Sequence, residues 1–207
     1  MGLLHCILVA VCDILIVSYL GIKHSSQAFA TLREHILKTA YASYWAELIM
    51  AWTEEDQSLA PLYDLIVYAL GELNTGRQDA ALINLAFQMR FMALAGLCPN
   101  LNYCCVCRTD LDSIRSTATG FDLPRGGLCC RACDQAFEPA LCLSRGTVKQ
   151  LQWIGEGDLE RIGRIRFSPA ALNEAQNFLE AFVPYHLGKE PRSLKFLRQI
   201  RPSQPTS

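Results

Sequence analysis

Two cysteine pairs, Cys104-x-x-Cys107 and Cys130-x-x-Cys133, stand 22 residues apart and constrain this chain more than any other feature. Each C-x-x-C lets two thiolates face one ion from a tight turn, and two such turns close a tetrahedron. Four thiolates leave no open coordination position, so the ion expected is a single structural zinc rather than a catalytic one. Gly126 and Gly127 precede the second pair and suit the close backbone approach of a knuckle, while the interval between the pairs has room for a short hairpin. A redox motif of the thioredoxin kind needs one pair set between a strand and a helix, and neither pair has that setting. Cys105 and Cys129 adjoin the four and could exchange with them, but the paired spacing favours Cys104, Cys107, Cys130 and Cys133. Cys6, Cys12, Cys98 and Cys142 are expected as simple buried thiols.

Ten cysteines in a short secreted chain would suggest a disulfide framework. Here the chain has 207 residues, 51% of them hydrophobic, which is enough for a core without covalent staples. Metal spacing in place of evenly distributed cysteines points to a reducing, cytoplasmic setting. The formal net charge of -1 gives no bulk attraction to nucleic acid, so any such binding needs a local basic patch.

The first 22 residues are apolar enough to resemble a targeting or membrane segment. No Lys or Arg precedes the run, however, and Asp13 interrupts it with a charge that is costly in lipid. Ile14 to Val17 are rich in β-branched residues and suit a buried strand, which favours a remnant of folded structure.

Helical patterning dominates the rest. Thr31 and Glu34 form a capping box, and Leu32, Ile36, Leu37, Ala40, Tyr41, Tyr44, Trp45, Leu48 and Ile49 then recur at helical spacing to about Trp52. Beyond the polar break at residues 53–57, a second helix is predicted from about Ala60 to Leu73, stopped at Gly76. A third begins near Asp79 and is apolar almost all round, as a central helix of a bundle must be, with Arg90 its one interior charge. Gly96 and Pro99 end it. Residues 98–140 lose this periodicity. Helices return at Ser144–Ile154 and after Ser168-Pro169, where Leu172, Ala175, Phe178, Leu179 and Phe182 mark a buried stripe. Gly188 closes that helix, and Arg192 to Ile200 give a short basic one.

Nothing assembles a nucleophile, a base and an orienting group. Gly126-Gly127 and Gly155-x-Gly157 lack the context of a phosphate loop, and the four histidines form no metalloprotease pattern. The absence favours a binding protein over an enzyme. The positive signal is the C-terminal stretch: His186, Lys189, Arg192, Lys195, Arg198 and Arg201, with Glu190 the acid among them. Arg192, Lys195 and Arg198 share one helix face, while Leu194, Phe196 and Leu197 anchor the helix. Read as a binding element, Lys189, Arg192, Lys195, Arg198 and Arg201 contact nucleic acid. Read plainly, the stretch is a solvated helix with cations at its C-terminal end.

The run from Phe87 to Gly96, then Pro99, Tyr103, Cys104 and Cys107, resembles the helix-to-knuckle signature of the RecO family of bacterial DNA-repair proteins. Tyr41, Tyr44, Trp45, Glu47 and Leu48 are similar to the first helix of that family's C-terminal domain. Gly126-Gly127 before Cys130, and Tyr185-His186-Leu187-Gly188 before the basic helix, are similar too. The resemblance covers about residues 25–200. It implies an N-terminal OB-fold, a helical C-terminal domain and, in many members, a zinc ion on four cysteines. It further implies binding of single- and double-stranded DNA, partnership with RecR, and docking of the acidic tail of single-strand-binding protein. The activity implied is annealing of complementary strands and loading of recombinase, without nucleotide hydrolysis.

The fold expected is mainly α: a helical bundle with an inserted four-cysteine knuckle and a remnant strand of an OB-fold. Residues 1–27 form the remnant, 28–200 the helical domain with its knuckle at about 98–140, and 201–207 a flexible tail. Five strands do not fit before the first helix, which puts autonomous annealing in doubt. Two rival readings are a membrane-anchored knuckle protein spanning at residues 3–22, and a zinc enzyme with an open coordination position.

Overall fold

The computed structural model describes Leu32, Glu34 to Trp52, and residues 60–133 and 141–201. The expected N-terminal remnant, the span at residues 3–22, Thr31 of the capping box, the polar break at 53–57, Cys6, Cys12 and residues 202–207 lie outside these. Among the described residues there are six α-helices: α1 (Ile36–Trp52), α2 (Ala60–Thr75), α3 (Ala80–Leu94), α4 (Arg145–Glu156), α5 (Pro169–Leu187) and α6 (Arg192–Ile200). Four short strands lie between α3 and α4: β1 (Asn100–Cys104), β2 (Ala118–Asp122), β3 (Gly127–Cys129) and β4 (Cys142–Ser144). The protein is mainly α. No helix among the described residues is long and apolar enough to cross a membrane.

The helix ends follow from local chemistry. Gly76 takes φ +65° directly after α2, the left-handed conformation that only glycine adopts without a Cβ penalty. The Asp79 carboxylate accepts the N–H of Ala81 at 2.8 Å and starts α3. Ser144 accepts the N–H of Thr147 to cap α4, and Ser168 accepts that of Ala171 to cap α5, with Pro169 in the first turn.

By its contacts the chain divides into two compact units. The first contains α1, α2, the start of α3 as far as Phe87, and α6. Tyr41, Tyr44, Trp45, Leu48, Leu194 and Leu197 are buried in it. Trp45 stacks on Phe87 with ring centroids 4.9 Å apart, and its indole N–H donates to Asn84 Oδ1 at 2.9 Å, so the buried polar end of the ring is satisfied. The second unit, Gln88–Gly188, carries the sheet and helices α4 and α5. Phe121 of β2 meets Phe178 and Phe182 of α5 edge-on at 4.6 and 5.6 Å. Arg90, the interior charge of α3, finds a carbonyl: its guanidinium donates to Gly157 O.

The region without helical periodicity contains more than a hairpin. Its four strands form one sheet in the order β1-β3-β2-β4. Strands β2 and β3 make the antiparallel hairpin expected between the cysteine pairs, turning at Asp122–Gly127. Asp122 Oδ1 accepts the N–H of Arg125 at 2.9 Å, and Gly126, at φ +63°, completes the turn. Strand β1 pairs with β3 in parallel, and β4 closes the other edge against β2. Several expectations about single side chains fail, among them that for Ile36 of the α1 stripe, which is exposed. Cys98 and Cys142 are exposed rather than buried, because one lies in the link into β1 and the other faces outward on edge strand β4. Leu172 is half-buried, at the end of the α5 stripe.

Candidate metal centre

Parallel pairing of β1 and β3 brings the C-terminal ends of both strands to the same end of the sheet. Cys104 ends β1, and Cys130 follows directly on Cys129, the last residue of β3. Both strands therefore run into their C-x-x-C turns side by side. Cys105 N–H donates to Leu128 O at 2.7 Å and Asn100 N–H to Gly126 O at 2.8 Å, which locks the two together. In the first turn Arg108 N–H donates to Cys104 O, and Arg108 adopts φ +63°. In the second, Cys133 N–H donates to Cys130 O at 2.9 Å.

The Sγ atoms of Cys104, Cys107, Cys130 and Cys133 lie within 4.8 Å of one another, with Cys107 and Cys130 at 3.7 Å. Four sulfurs bound at about 2.3 Å to one ion stand about 3.8 Å apart, so the set fits a single tetrahedral metal. Cys105 and Cys129 are not part of it. Cys104 and Cys130 are buried with Ile114, and Cys107 is exposed.

The backbone is already disposed to hold thiolates. Burial alone would raise the Cys104 pKa, but N–H groups of Cys130, Cys107 and Val106 outweigh it and lower it. The Cys130 N–H lies 3.3 Å from Cys104 Sγ. Cys107 is lowered to about 6, first by the Thr109 hydroxyl at 3.1 Å and then by the Thr109 N–H. Cys130 is raised, chiefly by burial, and Cys133 is raised by its sulfur neighbours Cys107 and Cys130. Two of the four are thus shifted toward the thiolate form without any cation. A soft divalent ion would favour deprotonation of all four.

Helix α4 supports the knuckle from one face. Arg145 donates to Leu111 O at 3.1 Å and to Ile114 O, Lys149 pairs with Asp112 at 2.7 Å, and Gln152 donates to Leu101 O at 2.9 Å. Glu174 of α5 in turn accepts from the Ser144 N–H at 2.8 Å and the Thr147 hydroxyl at 2.7 Å, anchoring the start of α4.

The basic stretch is arranged differently from the plain sum of its charges. Lys189, Arg192, Lys195 and Arg198 are exposed and Arg201 is half-buried. Glu190, however, pairs with both Lys195 at 3.3 Å and Arg198 at 2.5 Å. His186 meets Phe182 and Tyr185 edge-on, with centroids 4.4 and 5.3 Å away, and burial lowers its pKa. Sequence reasoning gave no role to Thr109, or to Arg115 and Arg131 beside the cysteines. Proximity to the ligands was the one available signal: Thr109 is two residues past Cys107, and Arg131 lies inside the second pair.

The fold and site define a helical domain carrying a four-cysteine metal knuckle. Residues 33–195 match the family model for the recombination protein O C terminal. The chain is 41% identical over 175 residues to a DNA repair protein RecO from Desulfatibacillum aliphaticivorans, covering 84% of this chain and 68% of that one. It is 42% identical over 180 residues to the protein of the same name from Desulfosudis oleivorans, with the same coverage. Against that of Syntrophus aciditrophicus it is 31% identical over 175 residues, 84% of this chain and 66% of the relative. The chain belongs to the RecO family of DNA repair and recombination proteins.

Proposed function

We propose that this protein is a recombination mediator that acts by binding rather than by catalysis. It binds single- and double-stranded DNA and the acidic tail of single-strand-binding protein. With RecR it helps to load recombinase and to anneal complementary strands. The observation that carries this reading is the family match over residues 33–195. The exposed cations Lys189, Arg192, Lys195 and Arg198, with Arg201 at the end of α6, support it as a surface for phosphates or for an acidic tail.

Residues 28–200 form the C-terminal domain in this reading, with the knuckle at about 98–140. Cys104, Cys107, Cys130 and Cys133 hold one zinc ion whose role is structural. A zinc ion supplies cross-linking there, since its binding free energy is folding free energy. A reducing, cytoplasmic setting suits the free thiols of the knuckle.

The test is fluorescence anisotropy of a labelled acidic tail peptide and, separately, of a labelled oligonucleotide, with zinc measured on the same sample. Saturable, salt-sensitive binding of both is expected. A folded, zinc-loaded protein that binds neither would leave the metal centre standing and remove the mediator role.

A further inference from the structure

A cleft of about 720 Å³ is lined in part by Cys107, Cys130 and Cys133 of the cluster. That volume is typical of ligand pockets and many times what one ion fills. Three separate chain segments line it: Cys107 with Thr109, Ser113 to Ser116, and Cys130 to Cys133; the last two each bring an exposed arginine, Arg115 and Arg131. Ser113 adds a hydroxyl, those of Thr109 and Ser116 being engaged with Cys107 Sγ and Ala118 O, and no carboxylate is among the described residues that line the cleft.

Nearby cations are already committed. Arg125 pairs with Asp122 at 3.1 Å, Lys149 with Asp112 at 2.7 Å, Arg145 serves two carbonyls, and the Arg108 guanidinium lies 5.1 Å from the centre of the Tyr103 ring. Among the described residues Arg115 and Arg131 have no carboxylate partner. Two such guanidiniums around a hydroxyl-lined concavity are a receptor for an anion. In a DNA-repair family the anion at hand is the phosphodiester. A flexible single strand can enter a concave cleft that the convex surface of a duplex cannot.

We propose that this cleft binds the phosphodiester backbone of single-stranded DNA through Arg115 and Arg131. The proposal rests on the DNA-binding reading above and adds to it a second set of contacts besides those of α6. It gives the knuckle a direct part in binding besides its structural one.

The experiment titrates the full-length, zinc-loaded chain against a labelled oligo-dT over a salt series, with zinc content and melting followed in parallel. Single strands lose about 0.7 in salt slope per phosphate contact removed, so Arg115→Ala with Arg131→Ala should flatten the slope by about 1.4 and weaken binding at least several-fold. The corresponding double lysine variant should restore most of the slope, and Arg125→Ala should leave it unchanged. An unaltered slope in the double alanine variant, with tight binding by the parent chain, overturns the cleft proposal and leaves the DNA-binding reading intact. No binding by the parent chain at low salt ends both. Zinc loss in the double alanine variant, with DNA binding reduced only in proportion to it, overturns the proposal and makes the arginines counter-charges to the thiolates. Weakened binding of a polyglutamate peptide with DNA binding unaffected overturns it in favour of an acidic protein.

Discussion

The Glu47 carboxylate caps helix α6 through Ser193, a residue 146 positions away: it accepts the Ser193 N–H at 2.9 Å and the Ser193 hydroxyl at 2.5 Å. Its other oxygen accepts the Arg192 N–H at 3.0 Å. Pro191, the cap residue of α6, offers no side-chain acceptor, so α1 supplies the one that the first turn lacks. The negative charge also complements the positive end of the helix dipole.

Loss of this cap should cost about 1 kcal/mol, the usual value for a capping acceptor. In a chain of this size that lowers the melting temperature by about 2–4 °C for Glu47→Ala. The pH dependence has a defined sign. Burial would raise the Glu47 pKa, but hydrogen bonds from Ser193 and Arg192 and the charge of Lys189 outweigh it and leave it lowered. A lowered carboxylate contributes fully above its unfolded pKa of about 4.3 and loses that contribution as pH falls through its folded value. Melting curves of the parent chain and Glu47→Gln should therefore differ at pH 7 and draw together as the pH falls below the unfolded value. A constant difference at every pH would mean that the charge of Glu47 plays no part.

The metal centre is tested by single serine substitutions. Cys107→Ser removes one of the four clustered sulfurs, although its side chain is exposed. Because ligand loss is loss of folding free energy, it should lower the zinc content well below one equivalent and lower the melting temperature by many degrees. Cys105→Ser and Cys129→Ser should keep a full equivalent, since neither sulfur is in the cluster. Retention of one zinc by a normally melting Cys107→Ser protein would refute the ligand set.

The two adjacent glycines before the second pair should respond differently to alanine. Gly126 takes φ +63° with no atom within 4 Å of an added Cβ, so the cost there is backbone strain alone, about 1–2 kcal/mol. At Gly127 an added Cβ would meet Cys105 Cβ at 3.0 Å and Asn100 Nδ2 at 3.2 Å. That contact pushes β3 away from β1, and the two C-x-x-C turns with it. Gly127→Ala is thus expected to weaken zinc retention against a competing chelator at least tenfold, and Gly126→Ala to reduce stability with little change in retention. Equal retention by both variants would show that strand spacing does not control the cluster.

How much of this was legible in the sequence depended on how local the cause was. Helix boundaries at Gly76, Ser144, Ser168 and Gly188 are written in the capping residues themselves, and the cysteine cluster in its spacing. The sheet was not legible beyond its hairpin. Strand β3 is Gly127-Leu128-Cys129, too short to show an alternating pattern, and its parallel partner β1 is brought to it only by the fold. The same holds for Glu47, whose partner in α6 is remote, and for the meeting of Arg115 with Arg131 across one cleft. Charge counting likewise could not show that the Glu190 carboxylate points at Lys195 and Arg198.

That carboxylate sets the last expectation. Glu190 bonds to Arg198 and Lys195, and these contacts lower its pKa, so it stays ionised and holds both cations at neutral pH. A phosphate reaching α6 must displace it or share its partners. The side chains of both pairs reach solvent, so the pairs are weak and screened by salt. Glu190→Gln should accordingly raise affinity for single-stranded DNA about two- to tenfold at low salt, while Lys195→Glu with Arg198→Glu lowers it and flattens the salt slope. Affinity unchanged by all three substitutions across a salt series would take α6 out of DNA binding. The cleft at the knuckle would then be the binding surface left to test.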